Sequence, residues 1–392
     1  MRTIAVVTVA RSDYGIYVPI LRRIQADNNL HLDLLVSGMH LSPEFGLTIK
    51  MIETDGFAIG ERVEMLLSSD SPEGIAKSIG LGVIGFAQVY SRRRPDILVV
   101  LGDRFEMYAA ALAALPFKIP VAHIHGGEVT QGAIDDALRH SMTKLSHLHF
   151  VSTEEYARRV MQLGEEPWRV IVSGAPSLDN LQTIKLLTPE ELKAQYGLRL
   201  YPPPLLVTFH PVTLEYERTE RQMSELLAAL ADSACPVIFT LPNADTGGRV
   251  IHRMIMEYVR VQPSACIVDN LGTQGYFSLM THAAAMVGNS SSGLIEAPSF
   301  ALPVVNVGTR QAGRVRGANV IDVSYERTAI LGGIQQAIQP EFREQLRQME
   351  NPYGSGRASD IIVERLKTVL LDDRLVMKRF TDLGLENSSG LE

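Results

Sequence analysis

The chain has 392 residues, of which 46% are hydrophobic and 21% charged, and a formal net charge of −7. These values are typical of a globular protein with two domains, and the negative charge argues against a nucleic acid or a membrane surface as partner. No apolar run reaches the ~20 residues that span a bilayer, and a strand pattern begins at Thr3, so we expect no signal peptide and a cytoplasmic location.

Apolar, β-branched runs alternate with helical patterns along the chain, which is typical of α/β proteins with parallel sheets. The first half predicts six strands, near residues 3–9, 31–37, 96–102, 119–124, 147–152 and 169–173. The second half also predicts six, near residues 204–209, 236–241, 265–269, 284–288, 302–307 and 318–323. The pattern therefore predicts two Rossmann-like, doubly wound sheets.

The two domains are expected to meet near residue 178, before a polar helix that starts at Thr188. We predict a first domain over 1–178, a second over 179–358, a helix within 359–378 that returns to the first domain, and a disordered tail over 379–392. Polar residues follow the predicted strands in both halves. Because ligands bind beyond the carboxyl ends of such strands, we expect a cleft between two facing domains.

The segment Gly-Asn-Ser-Ser-Ser-Gly-Leu-Ile-Glu at 288–296 follows an apolar run and opens a helical pattern. The hydroxyls of Ser290, Ser291 and Ser292, together with a helix N-terminus, suit an anion such as a phosphate. Glu296, on the first turn, suits the two hydroxyls of a ribose. A nucleotide diphosphate accounts for both features. A serine N-cap on an ordinary helix is the alternative, and the motif alone leaves both interpretations open.

Two further motifs have ordinary explanations. Gly-Leu-Gly-Val-Ile-Gly at 80–85 has the letters of a dinucleotide-binding fingerprint, but it follows a helical pattern rather than a strand, so we expect helix packing and no cofactor. His-Ile-His at 123–125 and the nearby His140, His147 and His149 suggest a metal. No further ligand has a recognisable spacing, and Cys235 and Cys266 are expected to be reduced structural thiols, so no metal is predicted.

Acidic residues follow neighbouring predicted strands of the first half: Asp103, Glu128, Asp135 and Asp136. They are either solvated or paired with Arg104 and Arg139, or they carry general acid–base chemistry in a cleft that excludes water. Three arginines follow strand ends or lie beside glycines, a placement that favours phosphate contacts over a plain surface role: Arg11, Arg310 and Arg314.

With these residues in view, the chain resembles the hydrolysing UDP-N-acetylglucosamine 2-epimerases of sialic-acid biosynthesis, most closely the bacterial capsule-type enzymes, over residues 2–371. The first half carries the resemblance in Arg-Ser-Asp-Tyr-Gly at 11–15, Gly-Met-His-Leu at 38–41, Gly-Asp-Arg-Phe-Glu at 102–106, His-Ile-His-Gly-Gly-Glu at 123–128 and Ile-Asp-Asp at 134–136 with Arg-His-Ser at 139–141. The second half carries it in His-Pro at 210–211, Asn-Ala-Asp-Thr-Gly at 243–247, the serine segment, Gly-Thr-Arg-Gln at 308–311 and Gly-Arg-Val-Arg-Gly at 313–317.

The resemblance implies two Rossmann-like domains of the GT-B type and hydrolysis of UDP-N-acetylglucosamine to N-acetylmannosamine and UDP. It implies these substrate-binding residues: Arg11, His40, Arg104, His123, Asn243, Asp245, Ser290, Ser291, Ser292, Glu296 and Arg310. It implies these catalytic residues: Asp103, His125, Glu128, Asp135 and His210. Several relatives carry Glu at the position of His125, so either His125 or Glu128 handles the second proton. A homodimer or homotetramer is also implied.

Four other functions remain open. The first is the same reaction on UDP-2,4-diacetamido-2,4,6-trideoxyglucose, as in legionaminate-type pathways. The second is a non-hydrolysing UDP-N-acetylglucosamine 2-epimerase, whose motifs match less well. A glycosyltransferase of the same architecture would need an acceptor. A nucleotide-sugar sensor would bind without turnover, and the acidic cluster argues against it.

Overall fold

The computed structural model describes residues 1–67, 71–130, 134–240, 248–268 and 271–382, and the chain divides into two compact units. The first unit comprises Met1–Glu128, Ala137–Pro176 and the residues from Arg357 onwards. The second comprises Val129–Asp136 and Ser177–Gly356. This division differs from the predicted one, because the segment Val129–Asp136 groups with the second unit.

Each unit is built on one parallel sheet. The first sheet has seven strands: β1 (Arg2–Thr8), β2 (Leu30–Ser37), β3 (Ile59–Val63), β4 (Ile97–Leu101), β5 (Val121–Ile124), β6 (Leu148–Val151) and β7 (Val170–Val172). The second has six: β8 (Leu205–Thr208), β9 (Val237–Thr240), β10 (Ala265–Val268), β11 (Ala285–Gly288), β12 (Val304–Val307) and β13 (Val320–Val323). The predicted α/β class with two doubly wound sheets is confirmed.

Helices connect these strands. Up to residue 176 they are α1 (Arg11–Ala26), α2 (Ile49–Thr54), α3 (Pro72–Arg93), α4 (Phe105–Ala114), α5 (Ile134–Leu145) and α6 (Glu154–Gln162). From residue 177 to 356 they are α7 (Asn180–Thr183), α8 (Pro189–Tyr196), α9 (Thr219–Ser233), α10 (Gly248–Val261), α11 (Gly272–His282), α12 (Ser292–Ile295), α13 (Arg327–Ala337) and α14 (Pro340–Gln345). Two more follow, α15 (Ala358–Thr368) and α16 (Asp373–Val376). Among the described residues, none of the helices is long and apolar enough to cross a membrane.

The strand order fixes where a ligand can bind in each unit. The orders are β3-β2-β1-β4-β5-β6-β7 and β10-β9-β8-β11-β12-β13. All strands are parallel, but the direction in which the chain adds strands to the sheet reverses once, between β1 and β4 in the first unit and between β8 and β11 in the second. At such a switch point the loops beyond the carboxyl ends of the two central strands diverge and leave a crevice. The chain after β1 and β4, and the chain after β8 and β11, therefore line these crevices.

Burial on both faces explains why the central strands are almost wholly apolar. In the second sheet, Leu205 and Val207 of β8 belong to one apolar cluster, whereas Leu206 between them belongs to another. This alternation is the two-residue period of a strand that is covered on both sides. Each face of the second sheet thus has its own core.

The C-terminal helices belong to the first unit. Arg23 of α1 forms an ion pair with Asp360 of α15 at 2.5 Å, and Lys367 reaches Asp27 at 2.7 Å. Residues beyond α16 are also held, because the backbone N–H of Thr381 donates to the carbonyl oxygen of Gly164 at 3.0 Å. The tail that was expected to be disordered from residue 379 is therefore bonded to the first unit as far as residue 381.

The glycine-rich segment at 80–85 lies inside α3, as the helical pattern indicates. A Cβ on Gly82 would come within 2.9 Å of the Cβ of Ala109 on α4, so the glycine allows α3 and α4 to approach closely. A dinucleotide fingerprint would need a strand directly before these glycines, and residues 72–79 directly before them are part of α3. The helix-packing interpretation is confirmed.

Candidate active site

The loop after β1 is held from within by a buried carboxylate. Asp13, in the first turn of α1, is 4% exposed and accepts hydrogen bonds from the backbone N–H groups of Val9 and Ala10, at 3.1 and 2.8 Å. Burial raises the pKa of Asp13 to about 7, although these bonds and the nearby Arg104 oppose the shift. Arg11 is exposed at the start of the same helix. Asp13 thus shapes the loop, and Arg11 presents its charge to solvent.

His40 lies in the 3₁₀ turn after β2 and is fully buried. Its Nε2 is 3.0 Å from the Thr8 hydroxyl and its Nδ1 is 2.7 Å from the Thr48 hydroxyl. Burial lowers the pKa of His40 to about 4, so the ring is neutral at pH 7. His40 therefore joins the end of β1 to the turn that contains Thr48. Its contact with substrate stays a prediction.

Arg104 and His123 are also held by protein groups. The guanidinium of Arg104 makes two hydrogen bonds to the buried carboxylate of Glu106, at 2.9 and 3.2 Å. His123 Nε2 is 2.7 Å from the carbonyl oxygen of Gly102, and burial lowers the pKa of this ring to about 3. His123 therefore braces the loop that carries Asp103, at the carboxyl end of β4.

Arg139 of α5 is the centre of the acidic group in the first unit. It is 3% exposed. Its guanidinium forms ion pairs with Asp103 and with Glu128, the latter at 3.2 Å, and donates to the carbonyl oxygen of His125 at 3.2 Å. The ion-pair interpretation of the acidic residues is thus correct for Asp103 and Glu128. However, the pairs are buried rather than on an ordinary surface, so the acid–base interpretation remains compatible with them.

Arg139 was expected as a counter-ion and as part of the motif at 139–141, but not as a residue of the site. A signal was present, because the buried residues of α5 are Arg139, Met142 and Thr143. An arginine on the apolar face of an amphipathic helix needs buried carboxylates as partners.

His125 has an unusual backbone for a residue with a side chain. It directly follows β5 with φ of +64°, a conformation that costs an ordinary residue about 1 kcal/mol or more. Its Nδ1 is 2.6 Å from Glu128 Oε1 and 3.0 Å from the Ser152 hydroxyl. Gly127 permits the sharp return of the chain, since a Cβ there would collide with the carbonyl oxygen of Tyr156. The loop therefore holds His125 and Glu128 in contact.

Asp135 and Asp136 lie in the first turn of α5. Asp136 accepts a hydrogen bond from the backbone N–H of Thr130 at 2.7 Å, and Asp135 is partly exposed. Arg314 donates to the carbonyl oxygen of Val129 at 2.8 Å and to the Thr130 hydroxyl at 2.9 Å. These bonds explain why the segment groups with the second unit. Arg314, which was predicted to contact a phosphate, thus binds protein groups of this segment instead.

In the second unit, the turn after β11 needs the glycine at its start. Gly288 has φ of +133°, and a Cβ there would collide with the carbonyl oxygen of Thr208 on β8. The next residue, Asn289, is fully buried, and its amide bonds to both backbone groups of His210 at 2.7 and 2.8 Å. The loops after β8 and β11 are thus joined at the switch point of the sheet.

His210 is 7% exposed, and burial together with the charge of Arg310 lowers its pKa to about 3. Its Nδ1 is buried without a hydrogen-bond partner among the residues that the structure describes. A neutral imidazole offers a hydrogen bond to a phosphate and no positive charge. The cation at this place is Arg310, which donates to the carbonyl oxygen of Asn289 at 3.2 Å.

The serine segment continues from this turn. The helix that it opens, α12, has four residues and passes into a 3₁₀ turn at Ala297–Phe300, so Glu296, which was predicted on the first turn, instead follows the end of a one-turn helix. The serine hydroxyls and backbone N–H groups therefore matter more than a helix dipole. Burial raises the pKa of the Tyr276 hydroxyl of α11 to about 12, and the neighbouring side chains of Ser292, Thr208 and Ser290 oppose this shift. Tyr276 was not predicted as a site residue.

Glu296 is 8% exposed and accepts a hydrogen bond from the Ser177 hydroxyl at 2.5 Å. Asn243 and Asp245, which were also predicted to bind substrate, lie outside the described residues. Within the described ranges, no group of three or more His, Cys, Asp or Glu side chains is placed to hold a metal ion.

Comparison with known proteins identifies the family. The model of the UDP-N-acetylglucosamine 2-epimerase family matches residues 22–367. A hydrolysing UDP-N,N'-diacetylbacillosamine 2-epimerase of Legionella pneumophila is 37% identical over 96% of this chain and 99% of its own length. A hydrolysing GDP/UDP-N,N'-diacetylbacillosamine 2-epimerase of Campylobacter jejuni is 41% identical over 82% of this chain and 84% of its own.

A solved structure shares the fold. The UDP-N-acetylglucosamine 2-epimerase of Neisseria meningitidis, determined with UDP-N-acetylglucosamine bound, superposes with a TM-score of 0.80 at 21% identity, and covers 93% of this chain and 99% of its own. The family match and the identities of 37% and 41% decide the assignment. The chain belongs to the hydrolysing UDP-N-acetylglucosamine 2-epimerase family.

Proposed function

We propose that this enzyme cleaves a UDP-linked 2-acetamido sugar and inverts its carbon 2, giving UDP and the free epimeric sugar. The observation that carries the proposal is the buried group around Arg139, in which Asp103, Glu128 and His125 meet at the carboxyl ends of β4 and β5. A binding protein would have no need for buried acid–base groups at the crevice of its sheet. Proton transfer at a sugar carbon requires them.

The order of bond breaking follows from the chemistry of the sugar. The hydrogen on carbon 2 has no carbonyl group beside it, so direct removal at neutral pH is too slow. Cleavage of the anomeric C–O bond is easier, because UDP is a good leaving group and the ring oxygen stabilises the positive charge. Loss of the carbon 2 proton then gives a glycal. Water adds its hydroxyl to carbon 1 of the glycal and a proton returns to the opposite face of carbon 2.

We assign the first proton transfer to Asp103, whose carboxylate lies against Arg139 and whose side chain is 22% exposed. The return of the proton is assigned to His125 or Glu128, with Asp135 as a further acid–base group. His40, Arg104 and His123 support these loops in the first unit. These roles are consistent with the positions of the side chains at the crevice after β1, β4 and β5.

The second unit supplies the groups for UDP. We assign the diphosphate to Ser290, Ser291 and Ser292, with Arg310 as the positive charge and neutral His210 as a hydrogen-bonding group. Arg11, exposed at the start of α1, stays a predicted phosphate-binding residue. Such preorganised donors stabilise the developing charge of the leaving group, typically by several kcal/mol.

We assign the ribose to Glu296, whose carboxylate the Ser177 hydroxyl already orients. The predicted contacts of Asn243 and Asp245 complete this proposal and depend on residues that the structure does not describe.

Two sugars fit the proposal. N-acetylglucosamine is the sugar in the name of the family. The 2,4-diacetamido-trideoxy sugar is favoured by a separate observation, since two relatives at 37% and 41% identity are named for diacetylbacillosamine. Both sugars carry the 2-acetamido group, and the pocket around carbons 4 and 6 decides between them. N-acetylmannosamine and a place in sialic-acid synthesis follow only for the first sugar. A cytoplasmic location and a homodimer or homotetramer stay predictions.

Parallel turnover of the two UDP-sugars tests the proposal. We expect UDP release without any acceptor, together with a free sugar that is inverted at carbon 2, for one sugar at least tenfold faster than for the other. A glycosyltransferase would release no UDP at a comparable rate without an acceptor. A non-hydrolysing epimerase would return a UDP-linked epimer, so recovery of that product would refute hydrolysis.

A further inference from the structure

The proposed function leaves open whether His125 or Glu128 handles the second proton, and the contacts of the two side chains distinguish these roles. Both are buried, with exposures of 6% and 3%. One oxygen of Glu128 meets Nδ1 of His125 at 2.6 Å, and the other meets the guanidinium of Arg139 at 3.2 Å. Both oxygens of Glu128 are therefore engaged by protein groups.

The remaining nitrogen of His125 has a different environment. Among the described residues, Nε2 has no hydrogen-bond partner, whereas Nδ1 has the Glu128 carboxylate and the Ser152 hydroxyl. A carboxylate that lies against a guanidinium accepts hydrogen bonds, so the proton between His125 and Glu128 belongs to Nδ1. The neutral ring then keeps its lone pair on Nε2.

We propose that His125 and Glu128 form a catalytic dyad, in which Nε2 of His125 takes up a proton from the water that is consumed and delivers it to carbon 2 as the hydroxyl of that water bonds to carbon 1, while Glu128 orients the ring. This proposal rests on the proposed function and assigns the two candidates to different tasks. His125 is the catalytic residue. Glu128 is a positioning residue that acts through His125, and Arg139 holds Glu128 in place.

The backbone supports the same assignment. His125 keeps φ of +64° although it has a side chain, and its N–H donates to the carbonyl oxygen of Phe150 at 3.0 Å. A glycine would adopt this conformation without strain. Residues in such strained conformations cluster at active sites. Because both partners of the His125 ring bind Nδ1, Nε2 is the nitrogen that is available to a substrate.

The dyad ties the task of Glu128 to the identity of residue 125. A glutamate at position 125 brings its own carboxylate to the substrate and needs no partner to set a tautomer. A histidine there needs a neighbour that fixes which nitrogen carries the proton. Glu128 has that task only in the presence of His125.

A double-mutant cycle tests the dependence of Glu128 on His125. We expect His125→Asn to lower kcat about 10²- to 10⁴-fold, as the loss of a general acid–base does. Glu128→Gln should lower kcat about 10- to 100-fold, the usual effect of removing an orienting partner, with KM changed less than about threefold. In the His125→Asn background, Glu128→Gln should cost nothing further. An equal loss in both backgrounds would show that Glu128 acts independently and would overturn the proposal.

The matched control is Glu165→Gln. Glu165 forms a second buried pair, with Nε2 of His149 at 3.0 Å in the same unit, and both residues are fully buried. The control removes a comparable buried carboxylate and should leave kcat unchanged. A loss of kcat in Glu165→Gln equal to that in Glu128→Gln would assign the effect to general destabilisation and count against the dyad. If Glu128→Gln does not fold, Glu128→Asp, which shortens the side chain by one methylene and lengthens its contact with His125, is compared in the same two backgrounds.

A measurement without turnover tests the tautomer directly. The His resonances of the ¹⁵N-labelled protein are recorded at rising pH until the ring of His125 is neutral, and His125→Asn identifies its signals among the 10 histidines. We expect the proton on Nδ1 in the unmodified protein and a shift toward Nε2 in Glu128→Gln. A proton on Nε2 in the unmodified protein would overturn the dyad. If the protein releases no UDP from either sugar, the proposed function fails, and the tautomer still decides whether the pair is arranged as proposed.

Discussion

Removing the charge of Arg139 is the perturbation whose size follows most directly from the structure. Arg139 is 3% exposed and pairs with two carboxylates, Asp103 and Glu128, while it also donates to the carbonyl oxygen of His125. Arg139→Met keeps most of the side-chain volume but leaves both carboxylates without their cation. Breaking a buried pair in this way typically costs about 3–5 kcal/mol. For a unit of about 200 residues this corresponds to a fall of about 6–20 °C in unfolding temperature.

Thermal and urea unfolding followed by circular dichroism measure this loss, with UDP binding recorded in parallel as a check on the second unit. The matched control is Arg92→Met, because Arg92 pairs with Glu61 at 3.1 Å but has a side chain that is 58% exposed. Exposed pairs contribute less than about 1 kcal/mol. Arg139→Lys keeps the charge and loses the forked geometry, so we expect an intermediate loss. Equal stability of the Arg139→Met and Arg92→Met variants would refute the claim that the buried charges depend on Arg139.

Three other predictions follow from the site. Asp103→Asn should lower kcat at least about 10²-fold while UDP still binds, and near-normal turnover would remove Asp103 from the mechanism. Ser290→Ala combined with Ser291→Ala should weaken UDP binding about tenfold or more in calorimetry, whereas unchanged affinity would discredit the phosphate site. Burial lowers the pKa of His40 to about 4, below the ordinary value of about 6.5, so this ring takes up a proton only on unfolding. The free energy of unfolding should therefore decrease as pH falls from about 6.5 to 4. In His40→Gln, the urea midpoint should depend less on pH across that window than in the unmodified protein. An equal pH dependence in the two proteins would contradict the buried neutral ring.

Much of the fold could be predicted because parallel strands that are buried on both faces are read as continuous apolar runs. All twelve predicted strands are present, within a few residues at their ends. The strand that was missed, β3 (Ile59–Val63), lies at the edge of its sheet and has the sequence Ile-Gly-Glu-Arg-Val. An edge strand needs no such run, since its outer side is not paired with another strand.

The site was predicted in part for a related reason. Side chains that follow strand ends can be located from the sequence, as with Asp103, His125 and Ser290. Their partners lie on helices far away along the chain. Arg139 and Tyr276 were missed as site residues because only the packing of α5 and α11 against the strand ends brings them there.

The domain boundary was misplaced at one segment because of a tertiary contact. The segment Val129–Asp136 begins five residues after the end of β5, so the sequence places it with the first unit. Arg314, 185 residues from Val129 along the chain, bonds to it within the second unit. No local pattern of sequence indicates such a contact.

The central claim is that UDP leaves before carbon 2 inverts and that water then enters at carbon 1. Turnover of the preferred UDP-sugar in D₂O that also contains ¹⁸O-labelled water tests it most directly, with the product examined by NMR and mass spectrometry. The account predicts one deuterium at carbon 2, ¹⁸O at carbon 1 and no label in the released UDP. Retention of the original hydrogen at carbon 2, or ¹⁸O in the diphosphate instead of the sugar, would contradict it.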